Sequence, residues 1–217
     1  MPISLKILVM GTLISVLFLC GCATNRSVVD ISLPVLGEIS KSNGKEIFIN
    51  SVIDNRKFEI KPSEPSTPSL DPGEEQGDKI KLRAIARKRN GFGMGLGDIL
   101  LSEDKSVDLL INTAIRQALI ENGYKVVSNK EQITNNTYIV DAKINKLWSW
   151  MNPGFFAITL STEISTEIAV KNNNITNEKV VSVNSSDTFQ TGIDSNWVEV
   201  MQSALKAYIS ELKLKIK

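Results

Sequence analysis

Histidine is absent from this chain, and cysteine is nearly so. The 217 residues contain no histidine and two cysteines, Cys20 and Cys22, both close to the N-terminus. Without histidine the chain lacks the usual general base and the commonest metal ligand. Ser-His-Asp triads, Cys-His pairs and His-ligated zinc are therefore excluded within this chain. Lysine-based and paired-carboxylate mechanisms remain open.

The chain also lacks an excess of charge of either sign. It has 25 lysines and arginines against 24 aspartates and glutamates. A basic stripe is the electrostatic signature of most nucleic-acid-binding domains, and a balanced composition argues against it. We therefore expect no nucleic-acid partner, and the sequence carries no cofactor motif.

An apolar run from Ile7 to Leu19 leads into Cys20-Gly21-Cys22. The run is long enough for a signal-peptide core but shorter than the ~20 apolar residues that span a membrane. A hydrophobic residue three places before a cysteine, with a small residue directly before it, is typical of a bacterial lipobox. We predict cleavage between Gly21 and Cys22 and acylation of Cys22. An uncleaved N-terminal anchor is the alternative.

Several expectations follow from a lipidated Cys22. The mature chain has 196 residues with 24 basic and 24 acidic side chains. It has no free thiol, because Cys20 leaves with the signal peptide. Acylation of both the thiol and the new amine would anchor the chain stably. Ala23 rather than aspartate follows, which in enteric-type bacteria favours the outer membrane over the inner one.

We predict three parts: a cleaved signal peptide at 1–21, a lipidated tether at 22–45, and a single periplasmic domain at 46–217. Four prolines within residues 62–72 predict a long irregular loop at 61–77. Strands are predicted at 46–53, 79–88, 124–127, 137–150, 156–170 and 179–190, with a glycine-rich hairpin arm after Asn90-Gly91.

Two segments have the apolar periodicity of amphipathic helices. The apolar faces comprise Val107, Leu110, Ile111, Ala114, Ile115, Ala118 and Leu119 in the first helix, and Trp197, Met201, Ala204, Leu205, Tyr208 and Leu212 in the second. The predicted fold class is α+β: a mostly antiparallel mixed sheet with both helices packed on one face.

A run of cations is the first candidate contact site. Six basic residues precede the next acid, Asp98: they are Lys79, Lys81, Arg83, Arg87, Lys88 and Arg89. The functional interpretation is attraction to lipid headgroup phosphates or to an acidic envelope partner. The alternative is a solvated strand face or a charged edge that prevents aggregation.

Aromatic residues at a predicted hairpin tip form the second candidate site. Trp148, Trp150 and Phe155 belong to this group, together with Met151 and Phe156. Large aromatics at a tip can dock a partner or enter a bilayer interface. The alternative is packing beneath a helix, because Trp148, Trp150 and Phe156 follow the core period while Met151 and Phe155 do not.

Two patterns that suggest enzymes fail on inspection. The glycines at 91–97 miss the GxGxxG spacing of a phosphate-binding loop, because Leu96 and Asp98 stand where glycine is required. The Cα atoms of Glu163 and Glu167 lie about 13 Å apart on a predicted strand, which is too far for a glycosidase pair unless their side chains converge. We therefore expect a protein that is not an enzyme.

The lipobox, the helix that ends at Asn122-Gly123, the meander that begins at Tyr138, the final helix and the Asp54-Asn55-Arg56 turn together resemble one family. They are similar to the YajG-like group of uncharacterised bacterial lipoproteins, apart from the proline-rich loop and the glycine run. More distantly, the element order resembles the TolB N-terminal, curli-secretion and penicillin-binding-protein-activator types of envelope lipoprotein domain. The resemblance implies an interaction module without catalytic residues, and only the role of Cys22 carries over.

Two functional hypotheses remain. The first is an outer-membrane lipoprotein that acts as a non-catalytic interaction or assembly module for an envelope protein partner. The second is an accessory lipoprotein that binds lipid or another apolar ligand for an envelope transport system. A pocket of a few hundred Å³ between sheet and helices would support the second, and a filled core would oppose it.

Overall fold

The computed structural model describes residues 26–35, 37–71, 77–173 and 175–216. In these ranges the chain forms a mixed eight-stranded sheet and three α-helices, which confirms the predicted α+β class. The predicted signal peptide and Cys22 lie outside the described residues. The strands are β1 (Ser27–Val29), β2 (Glu46–Asp54), β3 (Ala84–Arg89), β4 (Gly95–Leu101), β5 (Lys125–Val127), β6 (Tyr138–Pro153), β7 (Ile158–Asn172) and β8 (Ile175–Phe189); the helices are α1 (Asp78–Arg83), α2 (Val107–Glu121) and α3 (Asp194–Lys215).

The long strand β6 organises the sheet. Strand β7 pairs antiparallel with one edge of β6, and β8 pairs antiparallel with β7. Two strands share the other edge of β6: β2 runs parallel to residues 138–144, and β3 joins in parallel at Ser149. Strand β5 extends the sheet beyond β2, while β4 and then β1 extend it beyond β3. The sheet is mixed, with its longest antiparallel section in the β6–β8 meander.

Helices α2 and α3 bury the faces that their periodicity predicts. Every residue of the two predicted apolar faces is buried, and Val200 and Ile209 extend the stripe of α3. These side chains share one core with buried residues of the sheet. Tyr208 crosses this core, and its hydroxyl lies 2.9 Å from Thr166 Oγ1 on β7. Burial raises the pKa of Tyr208, so the hydroxyl stays protonated at neutral pH.

The segment before β2 corrects the prediction of a tether over 22–45. Within it, β1 pairs in parallel with β4, and Val29 and Ile31 are buried in the helix-side core. Further along, the Gly37 amide donates to Glu121 Oε1 at 2.8 Å. Residues 27–31 belong to the domain, because β1 covers the edge of β4 and Val29 and Ile31 fill the core beside it.

A register shift between Ile144 and Lys146 changes which face each later residue of β6 occupies. Leu147 joins the helix-side core after the shift, and Trp148 lies in a second cluster with Leu70, Ala84 and Leu100. The prediction that Trp148 shares a face with Ile144 is therefore wrong. One extra residue in a strand reverses the alternation beyond it, and composition alone does not reveal where it occurs.

The proline-rich loop covers this second cluster. Phe58 packs edge-on against Trp148 with ring centroids 5.9 Å apart. The indole Nε1 donates to the Pro65 carbonyl at 3.2 Å, and the Glu59 amide donates to the Pro68 carbonyl. Residues 55–71 thus form an ordered cover over the face of the sheet opposite α2 and α3.

The predicted strand at 79–88 is two elements. Residues 78–83 form the short helix α1, and the strand begins only at Ala84. Asp78 in the first turn of α1 and Arg83 in the last turn interact favourably with the helix dipole. The alternation of apolar and charged residues, on which the strand prediction was based, contains no information about these end effects. The expected hairpin is confirmed, because β3 and β4 pair antiparallel and the amide of Asn90 donates to the Met94 carbonyl.

Candidate interaction site

The structure divides the predicted cation cluster into two halves. Lys79, Lys81 and Arg83 lie on α1, whereas Arg87, Lys88 and Arg89 lie on β3 and are each 7 % exposed. In the α1 half, Lys79 is exposed, whereas Arg83 is half-buried and donates to the Leu101 carbonyl at 2.9 Å. Lys81 lies 3.8 Å from its helix neighbour Asp78, which is almost fully exposed. Exposed pairs of this kind contribute little to stability.

The β3 half of the cluster holds separate parts of the fold together. Lys88 Nζ donates to Ser27 Oγ on β1 at 2.6 Å and lies 3.2 Å from Asp194 at the start of α3. Arg89 donates to the Pro62 carbonyl at 2.9 Å and to Ser69 Oγ at 3.0 Å. Buried cations need such partners because desolvation is costly, so Lys88 and Arg89 bind the proline-rich loop, β1 and α3 to β3.

A cationic cleft opens between the proline-rich loop and the β3–β4 hairpin. Its volume is about 400 Å³, and its lining includes the charged residues Lys61, Asp71, Arg87 and Arg89 together with Phe92 and Met94. The Nε atoms of Arg87 and Arg89 are buried and have no hydrogen-bond partner among the described residues. Three cations against one acid, with unused donors, give the cleft the chemistry to hold an anion.

Electrostatic shifts around the cleft agree with this chemistry. Burial and the neighbouring charge of Arg87 lower the pKa of Arg89. Beneath the cleft, burial raises the pKa of Asp98, although hydrogen bonds from Arg26 and from the Asp71 amide oppose that rise. A Cβ at Gly95 would lie 2.2 Å from Arg87 Nη2, so a larger residue at this position would displace the guanidinium.

The predicted aromatic site also divides. Trp148 is fully buried, and Trp150 is half-buried with Lys146 Nζ 5.6 Å from the centroid of its ring. Phe155 is 93 % exposed and Phe156 85 %, and their rings contact each other edge-to-face at 4.6 Å. The two phenylalanines are the exposed part of this group, and the prediction that Phe156 follows the core period is wrong, because it lies in the turn after β6.

Strand β8 presents a long open edge. In the described part of the chain β8 pairs with β7 alone, so its second edge carries no strand. Most of its residues are exposed, and none between Lys179 and Asp187 is charged. Lys215 Nζ donates to the Val180 carbonyl at 2.6 Å, which shows that this carbonyl points outward. Because N–H and C=O of one residue share a side, the even-numbered residues of β8 present their backbone to this edge.

The carboxylates considered for catalysis are occupied by neighbours. Glu163 lies 2.7 Å from Lys146 Nζ, and Glu167 accepts a hydrogen bond from Asn145. In the described ranges no group of three or more acidic residues is placed to hold a metal ion.

A groove of about 710 Å³ on the outer face of the β6–β8 meander contains Asp141. Burial alone would raise the pKa of Asp141, but hydrogen bonds from Lys171, Ser51 and Asn50 lower it to about 2. Asn50 and Ser51 both reach Asp141 because β2 changes register between Ile49 and Ser51. This network joins β2, β6 and β7, so Asp141 has a structural role that accounts for its position in the groove.

Sequence reasoning missed the importance of Arg56, which is buried. Its guanidinium donates to Asp54, and to the carbonyls of Lys81, Ala84 and Leu147 at 2.7, 2.6 and 3.0 Å. It fills the gap on the edge of β6 between the end of β2 and the start of β3. The Asp54-Asn55-Arg56 turn was the available signal.

Comparison with known proteins gives the family. A family model described as "Uncharacterized lipoprotein" (Lipoprotein_16) matches residues 87–216. The chain belongs to this lipoprotein family. The match confirms the resemblance to uncharacterised bacterial lipoproteins. No curated protein matches the sequence. Within the described ranges, none of the helices of this lipoprotein has the length and apolar character needed to cross a membrane.

The solved structures that are similar to the lipoprotein have low sequence identity to it. The crystal structure of an uncharacterized protein superposes with a TM-score of 0.50 at 8 % identity, covering 89 % of this chain and 99 % of that one. A minor lipoprotein from Acinetobacter baumannii matches at TM-score 0.31 and 12 % identity, covering 48 % and 84 %. A lipoprotein from Neisseria meningitidis matches at TM-score 0.31 and 11 % identity, covering 76 % and 98 %.

Proposed function

We propose that this lipoprotein is anchored in the outer membrane through Cys22, faces the periplasm, and binds another envelope protein without catalysing a reaction. The observation that carries the proposal is the open edge of β8. An exposed strand edge is a template for pairing, and extended segments of partner proteins bind such edges through backbone hydrogen bonds. The partner's strand would pair with the outward backbone groups of Ser182, Asn184 and Ser186.

The geometry favours a different protein over a second copy as the partner. An antiparallel pair of β8 strands from two copies would point the two domains in opposite directions. Their β1 strands, which the segment from Cys22 enters, would then start at opposite ends of the dimer. Two anchors in one membrane do not permit this arrangement.

The apolar-ligand alternative gains less support. A pocket of about 270 Å³ with an apolar lining lies beside α2, between Leu33, Leu101 and Leu109. It lies at the margin of the helix–sheet interface, where the end of β4 meets the first turns of α2. At the helix–sheet interface the largest side chains, including Trp197 and Tyr208, are fully buried against the sheet.

The test introduces a photo-crosslinking residue at Ser182 or Asn184 in cells and identifies the captured protein. A second step replaces Ser182 with proline, which removes an outward N–H but leaves the pairing with β7 intact. We expect capture of one envelope protein at these edge positions, and loss of its binding in Ser182→Pro but not in the matched control Ser182→Ala. Capture of a second copy of this chain, or binding that Ser182→Pro leaves unchanged, would contradict the proposal.

Amide hydrogen exchange distinguishes strand addition from other contacts. The amides of Ser182, Asn184 and Ser186 face the open edge, so they should exchange fast in the free protein and slowly in the complex. Protection confined to another surface would contradict pairing on β8.

A further inference from the structure

The exposed aromatic side chains of the described residues gather at one end of the sheet. Phe92 at the β3–β4 hairpin is 93 % exposed, and Phe155 and Phe156 at the β6–β7 turn are nearly as open. Met94 and Ile193 are also exposed beside these loops. Phenylalanines outside a core favour the boundary between water and an apolar phase.

Strand directions explain why these loops share an end. Strands β3 and β6 are parallel, with Ala86 paired to Ser149. Phe92 lies six residues after Ala86, and Phe155 lies six residues after Ser149, so the two loops extend to a similar height. Phe189, the last residue of β8, pairs with the first residue of β7, which brings the turn containing Ile193 to the same end.

The chain enters the domain at this end as well. Strand β1 runs parallel to β4, away from the hairpin, with Ser27 paired to Ile99. Arg26, the residue before β1, lies beside Asp98, with its Nη2 3.1 Å from the carboxylate, so the alignment of the two strands continues one residue before Ser27. Cys22 is four residues before Arg26, and four residues span at most about 14 Å. A lipid on Cys22 therefore holds the hairpin end close to the bilayer surface.

The charge beside the loops matches a phospholipid surface. The cationic cleft, lined by Lys61, Arg87 and Arg89 with Asp71 as its one acid, adjoins Phe92. Arginine and lysine side chains that line a cleft suit phosphate oxygens. Apolar tips beside cations are the combination by which proteins contact anionic membranes.

From this geometry we infer that the end of the sheet formed by Phe92, Met94, Phe155, Phe156 and Ile193 docks on the membrane that carries the lipid anchor, with the cationic cleft facing phospholipid phosphates. The inference rests on the proposed lipidation of Cys22. It goes beyond the proposed function because it fixes the orientation of the domain. The β8 edge then stands upright from the membrane and is accessible to a periplasmic partner.

The experiment uses the mature lipoprotein reconstituted in vesicles of phosphatidylethanolamine and phosphatidylglycerol. The predicted mature chain has no free thiol, so a single cysteine at Phe155→Cys can carry a fluorophore. The control is Thr176→Cys at the opposite end of β8, about 40 Å away at the rise of a strand. Brominated lipids should quench the label at 155 several-fold more than the label at 176.

Each outcome separates two claims. The protein could float with the vesicles while the label at 155 is quenched no more than the label at 176. That result would contradict the docking of this end of the sheet, but not the lipid anchor or the role of the β8 edge. Failure to float would overturn the lipid anchor and, with it, this inference. A second variant replaces Phe92, Phe155 and Phe156 together with serine and carries the fluorophore on Met94→Cys. We expect the blue shift of the fluorophore emission and its quenching by brominated lipid to be lost, while flotation and the circular dichroism spectrum remain unchanged. Quenching that persists would contradict the role of the phenylalanines.

Discussion

Replacing Arg56 with lysine should destabilise the domain strongly, because no other side chain can bridge the gap along β6. The guanidinium makes a forked contact with Asp54, with Nε and Nη2 at 2.9 and 2.8 Å from its two oxygens. It also satisfies the carbonyls of Ala84 on β3 and Leu147 on β6, at the point where neither β2 nor β3 pairs with β6. Lysine has one nitrogen and lacks the planar fork, so it cannot serve both functions.

The magnitude follows from the contacts that lysine leaves unmade. Each buried acceptor left without a donor costs about 1–3 kcal/mol, and loss of one member of a buried ion pair costs about 3–5 kcal/mol. These costs are not additive, so we expect Arg56→Lys to lower the free energy of unfolding by about 3 kcal/mol. Arg56→Met should lower it further, because methionine keeps the stem but no donor.

Urea denaturation followed by circular dichroism measures this effect. The control is Arg116→Lys on α2, a half-buried arginine for which we find no comparable set of bonds and expect a change within about 0.5 kcal/mol. If Arg56→Lys were as stable as the Arg116 control, Arg56 would not be the bridge between β2 and β3.

Three further predictions concern stability. Hydrogen bonds hold the pKa of Asp141 at about 2, below its unfolded value of about 3.9, so its contribution to the free energy of unfolding, about 2 kcal/mol or less, is present above pH 4 and is lost as the pH falls towards 2. Asp141→Asn should therefore reduce the loss of stability between about pH 4 and pH 2, and an unchanged loss would contradict the network. Trp148→Ala should cost about 3–5 kcal/mol in urea titrations while Phe155→Ala stays within about 0.5 kcal/mol; equal effects would contradict their opposite burial. Gly123→Ala should be more destabilising than Gly44→Ala in thermal unfolding, since both have positive φ but only at 123 would a Cβ meet a backbone oxygen, at 2.3 Å; the reverse order would contradict the structure.

The helices show how much the sequence determines locally. The apolar stripes of α2 and α3 are regular over several turns, so each predicted side chain is buried. The end of α2 could also be predicted from the sequence, because Asn122-Gly123 combines a polar cap with a glycine that takes a φ of 81°. Local periodicity and turn chemistry need no knowledge of distant partners.

Features that depend on long-range contacts were not accessible from the sequence. The strand β1 exists because residues more than seventy positions away offer an open edge. Burial of Arg87, Lys88 and Arg89 depends on partners in the proline-rich loop, β1 and α3, so a run of cations alone predicts a solvated face. The bulge in β6 moved the tryptophans to the second cluster, and Phe155 remained exposed because it lies in the turn.

The most direct test of the central claim is the mass of the N-terminal peptide of the protein isolated from separated outer membranes. If Cys22 is the lipid anchor, this peptide begins at Cys22 and carries a diacylglyceryl group on the thiol and an acyl chain on the amine. We also predict that Cys22→Ser accumulates as an unprocessed precursor. A peptide that begins at Met1, or an unmodified Cys22 in the membrane fraction, would contradict the lipid anchor on which the orientation of this domain depends.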